Sequence, residues 1–324
     1  MLNDLQKGEF SFDFKKIYSS IGNFLFREVK SCIPLMIQIV AIAILGALIK
    51  NLQENVGSGG VAEISFYVTY ILIITLVVSS FVQAVDIAKD TVGSLMSFMQ
   101  ALLPILISLM AATGCVVSSS AIYPVIIIAT ETISNIVVNF IIPLVLLAFT
   151  IGIVGNVSEK INVKGLSKGM KSLSVWILGA ILTIFVGIMT VEGTMASSVD
   201  GITVKTAKFM FSNSIPVVGK ILGDSVDTIL GSSLILKNAV GIIGVIIIFI
   251  LGISPLLKIF AVILMYTLVT AIIEPFTEKR IVSCINDTGG ALKVLLGCVL
   301  GVEVMFLISV VTMMKMANMS MMLR

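Results

Sequence analysis

Residues 238–257 read NAVGIIGVIIIFILGISPLL. These twenty residues carry no charge, and as an α-helix they extend about 30 Å, the thickness of a bilayer's hydrocarbon core. No face of that helix is polar. A helix on the surface of a soluble domain would show one polar face, so this segment reads as a membrane span. Three similar runs occupy residues 31–49, 64–85 and 172–191, and residues 294–314 join them if the single acid Glu303 is allowed. A membrane β-barrel would instead alternate apolar and polar residues in segments of about ten, a pattern missing here. The fold class is therefore all-α, a polytopic helical membrane protein. Composition agrees, with 58% hydrophobic and only 12% charged residues and a mean hydropathy of +1.15. Soluble domains carry about 25% charge.

The same composition excludes several functions. A net charge of +3 is too small to argue for nucleic acid. The chain has no histidine, so the commonest metal ligand and general base are both missing. The four cysteines, Cys32, Cys115, Cys284 and Cys298, form no C-x-x-C pair. They read as small buried hydrophobes rather than as a disulfide or metal set. No HExxH, P-loop or GxSxG motif occurs. We expect no catalytic residue, no cofactor, no metal and no enzymatic activity.

Residues 1–30 form an N-terminal arm ahead of the membrane domain, 31–324. The arm carries nine charges and no apolar core of a leader peptide. Ile17, Ile21, Phe24 and Leu25 follow helical spacing, with Lys15, Lys16 and Ser20 off that face. Such an amphipathic helix can lie at the membrane surface or pack on the chain or a partner. From Thr91 to Ser158 the only charge is Glu131. As one helix this stretch would reach about 100 Å, so it must fold back. The break falls in AATGCVVSSSAIYP, residues 111–124. Either an ordinary loop joins spans near 94–110 and 132–154, with 121–131 at the interface, or residues 91–130 form a re-entrant hairpin with its tip at membrane depth. Non-helical backbone is tolerated at that depth only inside protein or beside a wet cavity. Beyond a lysine-bearing loop at 155–171 come the span 172–191, a polar connection at 192–237, the span 238–257, a short apolar run at 259–273 and the last span. The expected count is seven or eight. With eight spans and a cytoplasmic N-terminus, 13 lysines and arginines lie on the cytoplasmic side and 8 on the other.

Polar residues inside this apolar chain are the candidate site. Glu303 lies ten residues into the last span. A charged, unpaired acid there costs at least ~2.5 kcal/mol, so Glu303 should face the bundle interior, a partner or a wet path, or carry a proton. Glu131 sits in the second long apolar region. Gly241 and Gly244, and Gly297 and Gly301, are spaced for close helix approach. Residues 215–234 read as an amphipathic helix with Pro216 in its first turn. On a helical wheel Asp224, Asp227 and Gly231 fall within roughly 40° of Lys220, forming one narrow stripe. The Lys220–Asp224 pair adds about a few tenths of a kcal/mol. An interfacial linker, a conduit wall and a partner contact all fit this helix. Asp90, Asp227 and Asp287 each begin an Asp-Thr pair followed closely by glycine, which suits an N-cap before an apolar helix. Asp227 could equally lie mid-helix on the stripe.

Three strings carry a more specific likeness: DGITVKTAKF at 200–209, SNSIPVVGKILGDSVDT at 212–228 and SLILKNAVG at 233–241. Together they resemble the stage III sporulation protein AE family of endospore-forming bacteria, and the likeness runs from about Phe10 to the C-terminus. It implies a non-enzymatic, multi-pass component of the channel-like, secretion-related complex in the mother-cell membrane surrounding the forespore. The implied partners are the other stage III sporulation A-operon proteins, among them relatives of secretion ATPases and ring proteins, and through them the forespore Q protein. The lipid bilayer is a partner in either case, and a homo-oligomer is compatible. The complex is implied to support late forespore gene expression by passing small molecules or proteins. Lys237 and Asn238, inside the third string, join Lys220, Asp224, Asp227, Gly231, Glu131 and Glu303 as candidate conduit or partner-contact residues. Similar proteins often begin with a secretory signal, which would place residues 1–30 outside the cytoplasm, against the lysine count. The alternative function is a self-sufficient secondary transporter or permease for a small solute, motivated by the 91–158 fold-back, Glu303 and the stripe. A membrane scaffold without a conduit is a third reading.

Overall fold

The computed structural model describes the backbone of residues 14–54, 59–157, 163–214 and 218–322. Side chains within these ranges are described except at 14–18, 20, 53–54, 59–62, 192–214, 218–227, 317 and 319–322. The described residues are helical apart from short turns. In chain order they form α1 (Phe14–Glu54), α2 (Gly59–Ala112), α3 (Val116–Ile136), a π-helical turn (Val137–Ile141), α4 (Ile142–Val157), α5 (Lys164–Ser214), α6 (Val218–Ile273) and α7 (Lys279–Met322). Among the described residues, six helical stretches are long and apolar enough to cross a membrane: 21–52, 63–112, 116–157, 164–191, 228–273 and 279–316. The all-α, multi-pass reading therefore holds.

Two of the breaks expected between spans are continuous helix. The charges Asp86, Lys89 and Asp90 sit three and four residues apart, all exposed on one face of α2, while Val85, Ala88 and Val92 on the other face are buried. Three charges on one face leave the helix intact. Lys258 is likewise an exposed side chain within α6, next to buried Ile259. The same continuity corrects the N-cap reading of Asp90 and Asp287, which lie well inside α2 and α7. Asp227 also lies inside helical backbone. Of the amphipathic segment 215–234, residues 215–217 fall outside the described residues and 218–234 are helix. The polar connection 192–237 is mostly helix, shared between the end of α5 and the start of α6. Within the arm, residues 1–13 lie outside the described residues, and the helix that starts at Phe14 runs unbroken into the first span.

The chain divides into two compact units. The first comprises Met1–Val77 with Leu257–Gly289, the second Val78–Leu256 with Gly290–Arg324. In the first unit, Ile39 and Ala43 of α1, Tyr70 and Ile73 of α2, Ile263, Tyr266 and Val269 of α6, and Ile285 of α7 are buried. Gly46 lies so close to Thr69 that a Cβ there would overlap its hydroxyl. The Tyr266 hydroxyl donates to the Val77 carbonyl at 3.5 Å, and the Arg280 guanidinium stands 5.0 Å from the centre of the Phe66 ring.

In the second unit most of the surface of α7 is buried: Cys298, Val299, Val302, Met305, Phe306 and Val310 are enclosed in consecutive turns, while Leu300, Val304 and Val311 mark an exposed edge. Helix α5 packs along α3 and α4, and the Ser167 hydroxyl donates to the Ala148 carbonyl at 2.7 Å. Phe81 and Phe149 stack with ring centres 3.8 Å apart. The π-helical turn ends two residues before Pro143, which has no N–H to give to the carbonyl four residues back and whose ring crowds it. One wide turn, closed by the Ile142 N–H on the Val137 carbonyl, relieves that conflict without ending the helix.

The fold-back expected between 91 and 158 occurs at Thr113–Cys115. Gly114 takes φ 82°, in the left-handed region that a residue with a Cβ enters at a cost. Its N–H reaches the Ala111 carbonyl and the Cys115 N–H reaches Met110, the Schellman pattern that closes a helix end. Thr113, Cys115, Ser118 and Ser119 are buried. The break is thus a tight hairpin tip packed in protein, and residues 116–136, expected in part as a loop, are helix. A protein-packed tip is the environment in which non-helical backbone is tolerated at membrane depth. All four cysteines are free thiols, with Cys115, Cys284 and Cys298 buried and Cys32 half-buried.

Candidate functional site

Helices α6 and α7 run antiparallel in the second unit, and the polar candidates mark their seam. Lys237 is only 1% exposed. Its Nζ donates to the Met314 carbonyl at 2.8 Å and to Asn318 Oδ1 at 3.3 Å. An ammonium has three donors and no acceptor, so carbonyl and amide oxygens can hold it without an acid. The next residue, Asn238, has a buried Oδ1 with no hydrogen-bond partner among the described residues. One turn on, Gly241 lies against the Met314 side chain, and Gly244 lies against Leu102.

Further along the seam, Glu303 of α7 is 5% exposed. Its carboxylate rests directly against Gly252 of α6, where any Cβ would overlap it. The glycine makes the notch that admits the acid. Glu303 Oε2 has no hydrogen-bond partner among the described residues. Lys237 and Gly252 are fifteen residues apart on one helix, about 22 Å at helical rise. Lys237 and Glu303 therefore occupy opposite ends of the seam and do not pair.

The remaining candidates lie elsewhere. Glu131 is exposed on α3, and no cation pairs with it among the described residues. Asn135 and Asn139 continue its row at four-residue spacing, both exposed, with Asn139 Nδ2 donating to Asn135 Oδ1 at 3.3 Å. Gly231 is half-buried, with open space where a Cβ would stand. Lys220, Asp224 and Asp227 lie on helical backbone of α6, but their side chains fall outside the described residues. Of the four glycines spaced for helix approach, Gly241, Gly244 and Gly301 have close neighbours and Gly297 has none.

Sequence reasoning missed three features. Gly252 was invisible because its role depends on the register of α6 against α7. The Asn135 and Asn139 amides were legible in their spacing from Glu131, but only exposure gives that spacing meaning. In the first unit, a cavity of about 220 Å³ is lined in part by Gly46, Lys50, Asn51, Thr69, Thr277 and Glu278, and Lys50 pairs with Glu278 at 2.9 Å. Among the described residues no group of acids and cysteines could hold a metal ion.

Comparison with known proteins gives a family match along nearly the whole chain. The family described as Stage III sporulation protein AE matches residues 1–317. Stage III sporulation protein AE of Bacillus subtilis (strain 168) is 29% identical over 323 residues, spanning 100% of this chain and 81% of that protein. No solved structure matches.

Proposed function

This chain belongs to the stage III sporulation protein AE family, and from that premise we propose that it serves as an integral component of the channel-like, secretion-related complex between mother cell and forespore. The full-length family match carries the proposal. Within it, the protein sits as a multi-pass component of the mother-cell membrane around the forespore and contributes to the conduit without an enzymatic step of its own. Its partners are the other stage III sporulation A-operon proteins and, through them, the forespore Q protein. The seam supports a packing role for its polar groups, since the Lys237 ammonium is held by protein oxygens and the Glu303 carboxylate fills a notch. A wild-type gene restored to a deletion strain of an endospore-former should return heat-resistant spores to normal numbers. Normal sporulation of the deletion strain would sink the proposal.

One observation favours the alternative of a self-sufficient permease: the buried Glu303 Oε2 has no hydrogen-bond partner among the described residues, as a group that handles a transported cation or proton would. Purified protein in liposomes then moves solute and loses that movement in Glu303→Gln. Equal inertness of both proteins removes this alternative.

A further inference from the structure

The exposed row Glu131–Asn135–Asn139 lies in an unbroken apolar helical stretch, residues 116–157. A bilayer core takes about 20 helical residues. Any window of that length within 116–157 contains Asn135 or Asn139, and most contain both together with Glu131. Sliding the helix along the membrane normal therefore cannot bring the whole row out of the hydrocarbon.

Lipid is an unfavourable neighbour for this row. Polar groups facing hydrocarbon have nothing to bond with, and an ionised acid is the worst case. The bond between the two amides engages one N–H of Asn139 and the Asn135 oxygen, leaving the other donors and acceptors outward. A second copy of this chain, packed side by side on the same face, would set Glu131 against Glu131 and bring no cation. The row itself carries none. Water satisfies an exposed carboxylate and two amides without a matched cation, and acidic groups along a pore attract cations.

We propose that the Glu131–Asn135–Asn139 row faces water within the membrane and forms a cation-attracting wall of an aqueous path. The proposal rests on the conduit reading and adds to it a specific face and a charge preference. Both ends of the row matter: the amides keep the wall wet and the acid sets its sign.

The test places single cysteines, Asn135→Cys or Asn139→Cys, in the full-length protein in permeabilised sporulating cells, with Cys32 replaced by serine. The comparison variant is Ile184→Cys, an exposed apolar position on α5. Thiol reagents attack the thiolate, which needs water. A cationic methanethiosulfonate should therefore modify positions 135 and 139 on the order of tenfold or more faster than 184. With each rate taken relative to that of a free thiol, it should also outpace its anionic counterpart at position 135, by about tenfold for a unit charge ~6 Å away in salt-free water and about threefold at physiological salt. Glu131→Gln should abolish that preference while leaving both positions reactive. Labelling at 135 and 139 as slow as at 184 overturns the wet wall, whether lipid or another protein covers it. A disulfide-linked dimer formed through either cysteine under copper–phenanthroline overturns it in favour of a second copy. A charge ratio unmoved by Glu131→Gln overturns the role of the acid. Spore counts from the same strains keep the two levels apart: an unreactive row in a strain that needs the gene to sporulate removes the wet wall alone.

Discussion

Replacing Gly252 with alanine tests the seam of α6 and α7 at its tightest point. The added Cβ would overlap the Glu303 carboxylate. The acid cannot simply withdraw, because Val302 and Met305 beside it on α7 are fully enclosed. Either the carboxylate leaves its rotamer or the helices part, and overpacking of this kind costs ~1–3 kcal/mol. For a unit of this size, about 2 kcal/mol lowers Tm by roughly 4–8 °C. Glu303→Ala empties the notch and removes a buried oxygen that has no hydrogen-bond partner among the described residues, so the double variant Gly252→Ala/Glu303→Ala should recover most of the loss. Thermal melts of the four proteins in detergent give a double-mutant cycle, in which residues in contact couple by about 0.5–3 kcal/mol and distant ones add within ~0.5 kcal/mol. We expect a coupling above about 1 kcal/mol. Additive effects, or a harmless Gly252→Ala, would refute the notch.

Three further substitutions probe other parts of the fold. Gly114→Ala forces a Cβ into the left-handed region at the hairpin tip and should cost ~1–2 kcal/mol, read as a lower Tm. Lys237→Met keeps the apolar stem and removes a buried charge together with its two hydrogen bonds; these effects oppose, so stability should move by less than about 1.5 kcal/mol. Lys237→Glu, which sets an acid against carbonyl oxygens, should fail to accumulate in the membrane on an immunoblot. The half-exposed Lys50–Glu278 pair should show a coupling of only ~0.2–1 kcal/mol in an alanine double-mutant cycle, shrinking as salt is raised.

The fold class was readable from runs such as 238–257 because a charge-free segment of that length has one stable solution in a bilayer. Boundaries were harder. Asp86, Lys89 and Asp90 looked like the end of a span, yet three charges on one face of a helix leave its backbone unbroken, and linear sequence does not separate an exposed face from an exit. The fold-back within 111–124 was legible through its Gly-Ser content, although its reduction to three residues depends on the Gly114 backbone conformation. Glu303 declared itself by its depth in an apolar run. Its neighbour Gly252 and the burial of Lys237 did not, since both follow from the antiparallel register of α6 against α7, which brings together residues 51 apart at Gly252–Glu303 and 77 apart at Lys237–Met314. Lys237 looked like the charge that bounds a span and proves to be enclosed within the bundle.

The claim at the centre of this account is membership of a multi-protein channel complex. Affinity purification of the tagged full-length chain from detergent-solubilised membranes of sporulating cells addresses it most directly. The A-operon ATPase and ring relatives and the forespore Q protein should co-purify with it, and be absent from the eluate of an identically tagged control membrane protein. Purification of the chain alone, from membranes in which those proteins assemble normally without it, would contradict the account.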